Sequence, residues 1–197
     1  TWRISVTPAG VEANADSSRP SISSDGRFVA FRSNASNLVP GDLNLAEDVF
    51  VHELSTGILT LVSVDSSGVQ GNGASSLPSI SSDGRHVAFR SIASNLVPGD
   101  LNLSEDVFVH DRQTVQTQRL SVNSIGGEGN GHSTRPSISA DGAKVAFQSL
   151  ATNLVVGDNN LVEDIFVRTE GSVVVDTILL TGPSTATVGQ IVTFNWS

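Results

Sequence analysis

The sequence predicts an all-β fold, and three observations carry that prediction. The 197-residue chain repeats itself every 58 residues, as Pro20, Pro78 and Pro136 show, and Asp25, Asp83 and Asp141 after them. Each unit reads as strand and turn, with β-branched and aromatic runs separated by Asp-Gly and by Gly- and Ser-rich links. No stretch sustains the 3.6-residue apolar period of a helix.

The repeat is close enough to align by eye. Pro20–His52 differs from Pro78–His110 only at Phe28/His86, Asn34/Ile92 and Ala46/Ser104. The third copy has drifted but keeps Pro136-Ser-Ile-Ser-Ala-Asp-Gly, Val145-Ala-Phe and Glu163-Asp-Ile-Phe-Val. Within the first unit, Ser21-Ile-Ser is a short strand ending at the hairpin signal Asp25-Gly26, where glycine tolerates the left-handed turn. Val29-Ala-Phe-Arg is the second strand, Val49-Phe-Val-His the third, and Ile58-Leu-Thr-Leu-Val-Ser-Val the fourth. Four strands per unit, stacked on neighbouring units to bury their faces, make a β-propeller blade. The expected division is blade 1 over 20–77, blade 2 over 78–135 and blade 3 over 136–180. Ile4-Ser-Val aligns with Val62-Ser-Val, so residues 1–19 are expected to be an orphan outer strand, Trp2–Thr7, and its loop.

Composition excludes several classes. A net charge of −9, from 20 acidic and 11 basic residues, leaves no basic stripe for nucleic acid. No apolar run approaches the roughly 20 residues of a membrane span, and no signal-peptide pattern opens the chain. Cysteine is absent, which removes disulfides, thiolate metal sites and cysteine nucleophiles. Methionine is absent even at position 1, so the numbering is expected to begin downstream of a translation start.

The phrase Pro-Ser-Ile-Ser-Ser-Asp-Gly-Arg-x-Val-Ala-Phe, followed by Glu-Asp-Val-Phe-Val-His, resembles the WD40-like (PD40) repeat of the TolB-type propellers. The matching positions are Pro20, Ser23, Asp25, Gly26, Ala30, Phe31, Asp48, Val49 and Phe50, with their later copies. The resemblance implies interaction platforms, substrate-gating caps on peptidases, or parts of surface proteins. A longer link between the second and third strands, Asn34–Glu47, departs from the usual unit in all three copies. Residues 181–197 look like the opening of an immunoglobulin-like or PKD-like module.

That recurrent link holds the candidate chemistry. Asp42, Asn44 and Asp48 recur as Asp100, Asn102 and Asp106, and as Asp158, Asn160 and Asp164. Oxygen side chains at loop positions 1, 3 and 7 resemble the start of a calcium loop, which makes Ca2+ a candidate cofactor. Position 5 is Ala46, Ser104 or Val162, and no copy has glycine at position 6. The alternative reading is Asx turns, with Asp48 bonding backbone amides at the start of the third strand. His52 and His110 share a position that holds Arg168 in the third copy, and His86 replaces Phe28 and Lys144. Such interchangeability places these histidines at the surface or rim. No Gly-x-Ser-x-Gly elbow and no single-copy Asp/His pair beside a nucleophile appears, so no catalytic site is expected.

Three blades cannot close a ring, since propellers use about 4–8. Either further blades of a longer chain complete it, or two copies form a six-bladed homodimer. The functional expectation is a non-enzymatic module binding a protein or glycan partner in a bacterial periplasmic, extracellular or cell-surface protein. The alternative is the propeller part of a larger hydrolase, a peptidase cap or glycosidase.

Overall fold

The computed structural model describes residues 1–169, which form eleven strands in three antiparallel sheets. Blade 1 has the order β1 (Ser17–Ile22), β2 (Phe28–Ser33), β3 (Asp48–Glu53), β4 (Leu59–Leu61). Blade 2 repeats it with β5 (Ser75–Ile80), β6 (His86–Ser91), β7 (Asp106–Asp111) and β8 (Gln116–Arg119). Blade 3 contributes β9 (Ser133–Ile138), β10 (Lys144–Ser149) and β11 (Asp164–Thr169). The fourth strand expected in blade 3 and the 181–197 segment lie outside the described residues. Among those described there is no helix, so none long and apolar enough to cross a membrane.

The Asp-Gly hairpins form as the sequence predicts. Gly26 takes φ 69°, and the Asp25 carboxylate accepts from Ser23 Oγ at 2.6 Å and from the Arg27 amide at 2.9 Å. Those two bonds hold the Asp25 carboxyl below its ordinary range. The innermost strands depart from expectation. They begin at Ser17, Ser75 and Ser133, ahead of Pro20, Pro78 and Pro136, where the sequence placed the blade boundaries. Each strand crosses its proline by a bulge: Ser18 faces Arg32, but the next pair is Ser21 with Ala30. Proline has no N–H for the ladder and disfavours the right-handed helical region in the residue before it. Here that residue turns left-handed: Arg19 at φ 56°, Leu77 at 53° and Arg135 at 50°.

The N-terminal segment and β4 are also less regular than expected. Trp2–Thr7 is not a paired strand; its one ladder contact is the bridge Val6↔Glu12, repeated as Val64↔Gln70 and Val122↔Glu128. The ladder of blade 1 ends early because Ser63 Oγ takes the Val49 amide at 3.1 Å and donates to Asp48 at 2.6 Å. The N-terminal residues nonetheless sit on blade 1 as the β4–β5 link sits on blade 2. Asn14 exchanges bonds with Ser36 and Asn37 just as Asn72 does with Ser94 and Asn95.

Each blade has a front face toward the blade before and a back face toward the blade after. The back of blade 1 (Ala30, Val49, Val51, Val62) packs on the front of blade 2 (Val87, Phe89, Leu96, Phe108). The back of blade 2 (Ala88, Val107, Val109, Leu120) packs on the front of blade 3 (Val145, Phe147, Ala151, Leu154). The front of blade 1 (Phe31, Leu38, Phe50) is covered in part by Ile4 and Ala13. The back of blade 3 has no such cover among the described residues. Ile165 and Val167 are 66% and 65% exposed, while Val49, Val51, Val107 and Val109 are 1% or less.

This packing corrects the surface placement of three histidines. His52, His86 and His110 are all buried. His110 Nδ1 lies 2.8 Å from Thr117 Oγ1, whose own proton goes to Val64 O of blade 1 at 2.5 Å. Arg168 makes the corresponding reach in blade 3, to Asn123 O at 3.2 Å. Arg168 reaches the preceding link directly, whereas His110 reaches it only through Thr117.

Candidate functional site

In blades 1 and 2 the Asn34–Glu47 link and its copy lie beside the link that leads to the next blade. In blade 1 the sequence-predicted residues do converge. Asp42 and Asp48 are buried and share one donor, Gln70 Nε2, at 2.8 Å to Asp42 Oδ1 and 2.8 Å to Asp48 Oδ2. Asn44 is spent on the backbone: its Nδ2 donates to Gly71 O at 2.9 Å and its Oδ1 accepts from the Ala46 amide at 2.8 Å. Ser63 completes the shell of Asp48. Desolvation nonetheless pushes the Asp48 carboxyl above its ordinary range.

Blade 2 builds the same site with charge. Glu128 takes the place of Gln70, and Arg119 the place of Leu61. Arg119 Nη1 reaches Glu128 Oε1 at 2.5 Å, Asp100 Oδ1 at 3.4 Å and Asp106 Oδ2 at 3.6 Å. The carboxylates of Asp100, Asp106 and Glu128 all lie within 4.8 Å of one another. Asn102 Nδ2 donates to Asp106 Oδ2 at 3.0 Å and to Gly129 O at 2.9 Å, and Ser121 Oγ donates to Asp106 Oδ1 at 2.5 Å. Burial, with Asp106 beside it, pushes Asp100 up to about 6 despite the attraction of Arg119. Burial also raises Asp106. Burial works upward on Glu128 too, but bonds from Leu101 and Asn102 and the Arg119 guanidinium outweigh it and lower the carboxyl.

Blade 3 assembles only part of the arrangement. Asn160 Nδ2 donates to Asp164 Oδ2 at 2.9 Å and Asn160 Oδ1 accepts from the Val162 amide at 3.1 Å, with Asp158 half-buried nearby in sequence. The residues that would supply its donors, 177 and 186 by the 58-residue step, lie outside the described residues. Formal charges in the two complete sites agree. Two carboxylates and a neutral amide give −2 in blade 1, and three carboxylates with one guanidinium give −2 in blade 2.

Sequence reading of the link alone misses Gln70 and Glu128, which sit 22–28 residues along from the acids they face, and Arg119, which sits 13–19 along. The repeat carried the signal. Arg3, Leu61 and Arg119 are one step apart, as are Glu12, Gln70 and Glu128, and arginine accompanies glutamate where leucine accompanies glutamine. Arg3 pairs with Glu12 in the N-terminal segment as Arg119 does with Glu128.

No protein-family model and no curated protein matches the chain. Solved structures do. A chain assigned as TolB from Agrobacterium tumefaciens superposes with a TM-score of 0.51 at 17% identity, over 80% of this chain and 47% of that one. TolB from Acinetobacter baumannii gives 0.37 at 18% identity, over 81% and 42%. The β-propeller domain of the Trilobed protease from Pyrococcus furiosus gives 0.45 at 14%, over 80% and 44%. The chain therefore spans about half the length of the propeller it superposes on best among these three. The sheets described above are blades of a β-propeller.

Proposed function

We propose that this chain is a non-enzymatic interaction module of an exported or surface-located bacterial protein, its ring completed by a second copy. One observation carries the second copy. The back of blade 3 presents Ile165 and Val167 to solvent where both earlier blades bury their equivalents under the next blade. An apolar face of that kind, shaped by the repeat to receive a front face, fits the front of blade 1 in another molecule. Light scattering should give twice the mass of one chain, and Ile165→Lys with Val167→Lys should halve it. A wild-type monomer would discard the second copy.

The buried histidines support a non-catalytic role. The hydroxyl proton of Thr117 is committed to Val64 O, so His110 Nδ1 is the donor in their bond and cannot act as a base toward it. Burial lowers the His110 imidazole to about 4, which keeps it neutral at ordinary pH.

The acid sites are read as staples between link loops, satisfied by Gln70 and Arg119, with calcium as the competing reading. Asp100 tests them through pH. Its folded pKa of about 6 exceeds the unfolded value near 4, so the folded state binds the proton more tightly. The stabilisation is present below about pH 4 and is lost as pH rises through 6. Asp100→Asn should therefore melt with the wild type near pH 4 and exceed it by about 1–3 kcal/mol at pH 7.5. The same melts in CaCl2 and in EDTA should coincide. A rise confined to CaCl2 and abolished by Glu128→Gln would install calcium instead.

A further inference from the structure

We propose that the inner concavity of the array binds the carboxylates of an acidic polypeptide segment through Arg19 and Arg135. The proposal rests on the interaction-module reading and names a site and a ligand class for it.

The innermost strand β5 lies between β1 and β9 and adjoins both. Their bulges bring Arg19, Leu77 and Arg135 to one concavity of about 550 Å3, and Pro20, Pro78 and Pro136 line the wall beside them. The other arginines of this acidic chain are occupied. Arg3, Arg27, Arg32, Arg85, Arg90 and Arg119 are in ion pairs, and Arg112 and Arg168 donate to backbone carbonyls. Among the described residues, Arg19 and Arg135 have no such partner, although both are exposed in one recess.

Their backbone bears on the test. Both hold a left-handed φ that costs a residue with a Cβ and costs glycine nothing. The Asp-Gly turns of this same chain use glycine for that conformation, at Gly26, Gly84 and Gly142. At the bulge a side chain is kept despite the strain in all three copies, at Arg19, Leu77 and Arg135. Arg32 and Arg90 border the concavity with their partners Glu47 and Glu105, and Glu163 adds one further carboxylate. Four arginines against three glutamates leave an excess of one positive charge in a chain of net −9.

The order of the lining groups selects the ligand class. Two guanidinium forks suit carboxylates in bidentate geometry, and Leu77 with the prolines supplies apolar surface between them. An extended segment with acidic residues flanking an aliphatic one matches that order of charge, grease and charge.

The probe is a fluorescein-labelled Glu-Leu-Glu-Leu-Glu-Leu peptide, read by anisotropy, with a Gln-for-Glu peptide as control. The acidic peptide should bind, weaken as salt rises, and outcompete the control at least tenfold. Arg19→Glu with Arg135→Glu should lower its affinity at least tenfold. Arg19→Gly with Arg135→Gly should also lose the peptide, yet raise the unfolding midpoint by relieving the left-handed strain. Equal binding of both peptides, no binding of either, or charge reversal within twofold of wild type would overturn the proposal. A dimer that ignores both peptides would sink this site alone, whereas a monomer would sink the ring reading whatever the peptides do.

Discussion

Gly84→Ala is expected to destabilise the chain by about 2–5 kcal/mol, while Gly26→Ala at the equivalent turn costs about 1–2 kcal/mol. The two glycines have nearly the same backbone, φ 73° and 69°, so the left-handed penalty is common to both. They differ in what stands behind them. A Cβ at Gly26 meets nothing within 4 Å, whereas one at Gly84 would lie 2.1 Å from Phe28 Cδ2. Phe28 cannot swing away cheaply. Its ring is buried, with the Arg112 guanidinium 4.7 Å and the Arg27 guanidinium 5.0 Å from its centroid. Arg112 is itself tied to Gly84 O at 2.7 Å, so the turn, the arginine and the ring form one contact. Gly142→Ala should fall near Gly84→Ala, because His86 Nδ1 would stand 2.3 Å from the new carbon. Denaturant midpoints for the three variants decide the matter. Equal losses at Gly26 and Gly84 would mean that the blade contact adds nothing to the turn's own strain.

Phe108→Ala is the second large effect, at about 3–5 kcal/mol. Phe108 is wholly buried, stacks on Phe89 with centroids 5.9 Å apart, and sits in the core shared by blades 1 and 2. Truncation there removes apolar burial and leaves a void that the neighbouring sheets cannot both close on. For a chain of this size the melting temperature should fall on the order of 10 °C. Phe166 holds the same position in blade 3 and stacks on Phe147 with the same 5.9 Å spacing, but it is only half-buried. Its replacement by alanine should cost less than half as much. If Phe166→Ala proved as damaging as Phe108→Ala, the blade interfaces would not be the source of core stability.

The blades themselves were legible because period, turn chemistry and apolar alternation all point the same way. Asp25-Gly26 and Val29-Ala-Phe are local signals, and the 58-residue step multiplies them by three. What sequence reading misjudged depends on partners far along the chain. His52, His86 and His110 look like variable rim residues, yet each is buried by packing that no local pattern records. The left-handed bulge at Arg19-Pro20 has no glycine to announce it, so the inner strand looked shorter than it is. In the acid sites the link supplied Asp42, Asn44 and Asp48, but the groups that balance them belong to the next loop. Only the pairing of Arg3 with Glu12 and Arg119 with Glu128, against Leu61 with Gln70, hinted at them.

The uneven cover of the two end faces also ranks the blades in the order in which they come apart. In a linear array each unit is held by its own sheet and by the contacts on either side. Blade 2 has both neighbours, and blade 1 has one neighbour and the N-terminal segment folded over its front. Blade 3 has one neighbour and, among the described residues, no cover over Ile165 and Val167. Opening is therefore expected to start at blade 3 and travel backwards. Amide protons of β10 and β11 should exchange with solvent through partial unfolding, while those of β6 and β7 should wait for the whole array to open, which hydrogen exchange would read strand by strand. The direction of the repeat is thus also the expected direction of fraying, and a second copy closing the ring as proposed would abolish it.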